Sequence, residues 1–100
     1  IYPQEIEDVL VLHPSVGDVA VFGVPDADMG EAVKAVVQPA PGAAAGDELA
    51  DELLAFCRDH LSHFKCPRSV DFTQDMPRGE NGKLYKKPLR DAYWASSTAT

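Results

Sequence analysis

Cysteine is scarce, two in 100 residues, too few for the disulfide framework that small secreted domains use in place of a large core. A reducing, cytoplasmic setting is the expectation that follows. Long apolar runs are missing too. Stretches such as Val19–Val24 and Val33–Val37 fall far short of the ~20 residues that cross a bilayer, so no transmembrane segment is expected. Basic residues are outnumbered nine to sixteen, for a formal net charge of −7 and a pI near 4.7, the opposite of the balance nucleic-acid binders carry. The chain opens on Ile1 with no initiator Met and no basic region leading into an apolar one. It is therefore expected to lack a signal peptide and to be a piece of a longer protein. There is no Walker-type loop, no Ser-His-Asp pattern and no internal repeat.

What remains is an ordinary globular composition, 45% hydrophobic and 25% charged, in a chain long enough for one domain with one layered core. Its charge is unevenly placed. Positions 1–64 hold twelve acidic and two basic residues, whereas 65–90 hold seven basic (Lys65, Arg68, Arg78, Lys83, Lys86, Lys87, Arg90) and three acidic. A local basic segment on an acidic body suits a small anion such as a nucleotide. A solvated helix end explains the same charges equally well.

Pro3 pre-sets the first turn of a helix, and Ile6, Val9, Leu10 and His13 recur at helical spacing up to Pro14. β-branched density predicts buried strands over Gly17–Val24 and Val33–Gln38. The segment Pro25–Glu31 between them is longer than a minimal hairpin needs, so it reads either as a ligand-facing loop or as a plain connector. After the Pro- and Gly-rich spacer 39–46, Asp47 is expected to cap a second helix with Leu49, Leu53, Phe56, Cys57 and Leu61 on its apolar face. A short strand over Ser69–Thr73, a loop over Met76–Gly82 and a last helix from about Pro88 complete the order, with 95–100 patternless and read as a disordered tail. Helix, strand, strand, helix, strand, helix specifies an α+β fold, a small three-stranded sheet flanked by helices.

Two constellations invite chemistry. Cys57, His60, His63 and Cys66 recur every third residue, but on a helix that spacing spreads the side chains around nearly half the cylinder, so no zinc site and no metal is expected. Lys83 follows the turn Asn81-Gly82 in a loop containing Pro77 and Gly79, which reads as a flexible ammonium on a mobile support. Within ~4 Å of an anionic oxygen it would contribute about 4 kcal/mol of attraction at an effective dielectric near 20, and beyond about 10 Å of solvent almost nothing. An ordinary exposed turn lysine is the competing reading.

Several separate segments then fall in one order: Ile1–Glu7, His13-Pro14-Ser15-Val16, Gly23-Val24-Pro25-Asp26, Gly30-Glu31, His63-Phe64-Lys65-Cys66-Pro67, Pro77-Arg78 and Asn81-Gly82-Lys83. Together they resemble the C-terminal domain of the adenylate-forming acyl-CoA synthetases, the AMP-binding enzymes, collinearly from 1 to about 94. The resemblance implies a mobile lid whose large N-terminal adenylation domain is absent from this chain. It implies two half-reactions, with ATP, a carboxylic acid and coenzyme A as substrates and Mg2+ expected in the full-length enzyme. Lys83 aligns with the lysine that bridges carboxylate and phosphate oxygens in adenylation and leaves for thioester formation. Gly30 and Glu31 are then implied at the pantetheine tunnel, and Phe64 and Lys65 at the CoA nucleotide. Met29 and Cys66 stand where some relatives have tryptophan and arginine. The alternatives are a peptide-synthetase-type adenylation subdomain, which loads a carrier protein, or a stand-alone anion-binding or interaction module.

Overall fold

The computed structural model describes residues 3–28, 30–62, 65–79 and 81–98. The elements are α1 (Pro3–Leu10), β1 (Val16–Asp26), β2 (Gly30–Pro39), α2 (Asp47–His60), β3 (Ser69–Phe72) and α3 (Lys87–Thr98). β1 and β2 form an antiparallel hairpin, and β3 adds parallel to β2 through the α2 crossover, giving the order β1-β2-β3. This is the expected α+β arrangement of a three-stranded sheet between helices.

Helices on both faces explain why the strands read as near-continuous apolar runs. Successive side chains alternate between faces. Val19, Val21, Ala35, Val37 and Val70 meet Ile6 and Leu10 of α1 and Leu49, Leu53 and Cys57 of α2. Ala20, Phe22, Val24 and Val36 form a second cluster under Met76, Leu84, Leu89 and Tyr93. His13 fastens the α1–β1 turn to α2: its Nδ1 accepts the Ser15 N–H at 3.0 Å and its Nε2 lies 2.6 Å from Glu52.

Three local expectations are corrected. The Pro25–Glu31 loop is mostly ladder, because Pro25 pairs with Glu31 and Asp26 with Gly30; strong pairing carries both strands past their apolar stretches. Asp47 does not cap α2. Gly46 holds the N-cap position without a side-chain bond, and Asp47 and Glu48 stand in the first turn, where their charge favours the positive end of the helix dipole. Finally, α3 continues to Thr98, so 95–98 are helical and not a disordered tail; the apolar pattern lapses before the backbone hydrogen bonding does.

β1 is an edge strand, and an edge presents alternate unpaired backbone groups. Side chains cap them here. Asp18 accepts the Val19 N–H at 2.9 Å. The buried Glu7 accepts the Val21 N–H at 2.7 Å, and Lys86 donates to the Val21 carbonyl at 2.9 Å while pairing with Glu7 at 2.7 Å. The Trp94 indole N–H donates to the Gly23 carbonyl at 3.0 Å. The segment from 78 to 94 is thereby bound along the length of β1.

Candidate functional site

Lys83 lies in the loop between β3 and α3, and that loop is closed on itself. Arg78 and Leu84 form an antiparallel bridge, and backbone bonds run from Gly79 N–H to the Lys83 carbonyl (2.9 Å), from Gly82 N–H to the Gly79 carbonyl (2.9 Å) and from Tyr85 N–H to the Pro77 carbonyl (2.8 Å). Gly82 sits at φ 80°, a left-handed conformation that costs a side-chain-bearing residue about 1–2 kcal/mol. The Tyr85 ring lies against Gly79 so closely that a Cβ there would stand 2.5 Å from it. The peptide group joining Gly82 to Lys83 is held at both polar ends: its N–H donates to Asn81 Oδ1 at 3.0 Å and its carbonyl accepts from Arg78 Nη1 at 2.7 Å. The mobile support expected from the glycines is thus replaced by a hydrogen-bonded turn.

Arg78 ties this turn to the sheet. Its Nε and Nη2 donate to the two carboxylate oxygens of Asp18, each at 2.6 Å. The Arg78 hydrogen bond, the Val19 N–H and the guanidinium charge outweigh partial burial and hold the Asp18 carboxyl below the ordinary aspartate value. Asp18 adjoins a bulge at the start of β1.

The basic segment is therefore largely engaged within the fold, partly by the acidic part of the chain and partly by its own last helix. Arg78 pairs with Asp18, Lys86 with Glu7 and Lys87 with Asp91, and Arg90 stacks over Trp94. Lys34, from the acidic part, pairs with Asp71 at 2.9 Å and lies over the Tyr93 ring. Tyr93 also donates a short hydrogen bond to Asp71. Burial works against the Asp71 charge, but the bonds from Tyr93 and Lys34 prevail and its pKa is lowered; burial and the Asp71 bond push the Tyr93 hydroxyl up. Lys83, by contrast, is exposed, and its ammonium has no ion-pair partner among the described residues.

The other expected site residues lie elsewhere. Gly30 (φ 78°) and Glu31 are at the far end of the β1–β2 ladder, opposite Asp26 and Pro25. Asp18 and Asp26 are eight residues apart along β1, about 26 Å at ~3.3 Å per residue. Gly23 leaves room for the Glu31 carboxylate, which a Cβ there would overlap. Beside the hairpin is an open cleft of about 590 Å³ with Pro25, Gly30, Lys34, Tyr93 and Trp94 in its walls. Lys65, after α2, is 3.5 Å from both Glu5 oxygens. Phe64 lies outside the described residues.

Neither cysteine is a poised thiolate. Burial pushes the Cys57 thiol up to about 12, with smaller effects from Cys66 and Arg58, and burial raises Cys66 too. Among the described residues no cluster of three or more His, Cys, Asp and Glu side chains could hold a metal. The sequence reading missed the Arg78–Asp18 and Lys86–Glu7 pairs. The available signal was an acid, Asp18, in an otherwise apolar strand, and the opposite charge balance of the two parts of the chain.

Comparison with known proteins agrees with this architecture. The AMP-binding enzyme C-terminal domain family matches residues 5–83. The chain is 42% identical over 91 residues to a long-chain-fatty-acid–CoA ligase of Salmonella typhimurium strain LT2, covering 91% of this chain and 16% of that protein. It superimposes on an acyl-CoA synthetase of Brucella canis with a TM-score of 0.89 at 39% identity, covering 98% of this chain and 18% of the other. A fatty acyl CoA synthetase of Mycobacterium tuberculosis gives a TM-score of 0.81 at 35% identity, with 95% and 18% covered. The chain thus spans under a fifth of the length of these relatives, and no described helix is long and apolar enough to cross a membrane. A collinear match over most of the chain, with the same fold and with Lys83 closing the matched region, means that the chain belongs to the AMP-binding enzyme C-terminal domain family.

Proposed function

We propose that this chain is the C-terminal domain of an acyl-CoA synthetase and supplies different residues to its two half-reactions. In the first, a carboxylate oxygen bonds to the α-phosphorus of ATP and the bond to the bridging oxygen breaks, releasing pyrophosphate. In the second, the sulfur of CoA bonds to the acyl carbon, the carbon–oxygen bond of the acyl–phosphate anhydride breaks to release AMP, and the thiol proton goes to solvent or a base. Lys83 serves the first. One observation carries this reading: among the described residues of a segment whose other cations are engaged, Lys83 combines a hydrogen-bonded backbone with an exposed ammonium that has no ion-pair partner. Set between two anionic groups, such a charge orients the carboxylate and stabilises charge developing on phosphate without reorganising its support.

The second half-reaction uses the other end of the sheet. Gly30 and Glu31 approach the pantetheine arm, and Lys65, with Phe64, takes the CoA nucleotide. The Lys65–Glu5 pair is long, with both side chains partly exposed, so exchanging it for a phosphate oxygen costs little. With Lys83 and Gly30 near opposite ends of β1, rotation of the domain against its N-terminal partner presents one end or the other. Mg2+ accompanies ATP, and the described residues offer it no ligand cluster. The compartment proposed is the cytoplasm.

The test uses the full-length enzyme with each half-reaction read alone. Lys65→Ala and Glu31→Ala are expected to raise KM for CoA about tenfold in thioester formation from supplied acyl-adenylate, the effect of losing one charged contact, and to leave acid-dependent ATP–pyrophosphate exchange near the parent rate. Equal slowing of both steps would contradict the division.

A further inference from the structure

We infer that Arg78 and Asp18 act as positioning residues for adenylation, holding the Lys83 backbone at a fixed place on β1; this deepens the proposed role of Lys83 and rests on it. Arg78 uses three donors on two structures. Two go to Asp18 at 2.6 Å each, and the third to the Gly82 carbonyl at 2.7 Å. That carbonyl belongs to the peptide group whose N–H is Lys83's own, so the guanidinium is one bonded unit away from the Lys83 Cα. A planar fork suits this task, since one rigid group transmits the position of the carboxylate to the turn.

The anchor point is itself fixed. Asp18 also accepts the Val19 N–H, which immobilises its carboxylate against β1 on the strand's unpaired side. Three residues beyond Lys83, Lys86 makes the second fastening, to Val21 and the buried Glu7. Lys83 therefore sits on a short span tied to the same strand before and after it. Its four-carbon stem is exposed, and its root is hydrogen-bonded on both sides of the peptide group. Misplacing a catalytic group by about 1 Å can cost on the order of 100-fold in rate, so releasing the first fastening acts on adenylation.

The experiment is made on the full-length enzyme with Asp18→Asn, Arg78→Gln, Arg78→Lys and Lys83→Ala. Asp18→Asn keeps shape and weakens the clamp; Arg78→Gln removes the fork; Arg78→Lys keeps charge but cannot reach both partners. The expected result is a fall of about 10- to 100-fold in kcat for acid-dependent pyrophosphate exchange in Asp18→Asn and Arg78→Gln, a smaller fall in Arg78→Lys, and KM for ATP within about threefold. Thioester formation from supplied acyl-adenylate stays at the parent rate. Adding Arg78→Gln to Lys83→Ala should lose nothing more, since the clamp acts only through Lys83. If Lys83→Ala abolishes exchange while the Asp18 and Arg78 variants run at the parent rate, the clamp is overturned and the lysine assignment stands. Equal loss of both half-reactions in Asp18→Asn, or a further loss in the double variant, also overturns it as a general structural effect. If Lys83→Ala exchanges normally, the assignment of Lys83 fails first and the clamp with it.

Discussion

Replacing Lys86 by Met tests how the edge of the sheet is held. Its ammonium lies 2.7 Å from Glu7 and 2.9 Å from the Val21 carbonyl. The Glu7 side chain is 10% exposed and that of Lys86 33%, so the substitution strands an almost buried carboxylate and an edge carbonyl. Breaking a fully buried pair costs about 3–5 kcal/mol, and an exposed pair is worth at most about 1 kcal/mol. With water reaching one partner, the loss should lie between these limits, about 1–3 kcal/mol. At a urea slope of ~2 kcal/mol/M the midpoint falls by about 0.5–1.5 M. The assay is urea denaturation of the 100-residue chain, followed by fluorescence of its single tryptophan, Trp94. The Trp94 indole donates to Gly23 on the same strand. Glu7→Gln should cost less, because its amide oxygen can still accept the Val21 N–H and Lys86 can turn to water. The double variant should be destabilised by less than the sum, having no stranded charge. A Lys86→Met midpoint equal to that of the parent, or strict additivity, would refute the reasoning.

Two further outcomes follow from the titrating groups. Asp18 and Asp71 have lowered folded pKa values, so each contributes stability that is complete above the ordinary aspartate value and is lost as pH falls through its folded value; urea midpoints from pH 6 to pH 2 should fall in that window, and less steeply in Asp18→Asn, whereas an identical slope would exclude the Arg78 clamp as its source. Cys57 is fully buried with its thiol raised to about 12, while Cys66 is only partly buried; iodoacetamide at pH 8 should modify Cys66 first and reach Cys57 only on unfolding, a sequence that peptide mass spectrometry reads directly, and early labelling of Cys57 would contradict its burial.

The layered fold was legible because its signals are local. Leu49, Leu53 and Cys57 share a helix face by spacing alone, and β-branched runs marked both long strands. Where prediction stopped short, long-range bonding was responsible. Pairing with β2 extends β1 through Pro25 and Asp26, although a proline and an aspartate are weak strand formers. Lys83 was singled out by turn chemistry and by resemblance, but the state of its loop was not legible. Asn81-Gly82 advertises a turn, whereas the bonds that fix it to the sheet join positions 60 residues apart. The same holds for the Lys86 bond to Val21 and the Tyr93 bond to Asp71. Neither spacing nor periodicity encodes such pairs, because they depend on which strand lies at the edge. The sign of the charges was legible, and their cancellation across the fold was not.

Lys83 is proposed to serve adenylation and not thioester formation. The most direct test of this role is acid-dependent ATP–pyrophosphate exchange by the full-length enzyme carrying Lys83→Ala, with CoA thioester formation from supplied acyl-adenylate measured on the same preparation. Exchange is expected to fall by at least about 100-fold, the scale for losing a preorganised group that stabilises developing charge, while thioester formation stays within about twofold of the parent enzyme. Exchange at the parent rate, or equal loss of both steps, would contradict the claim.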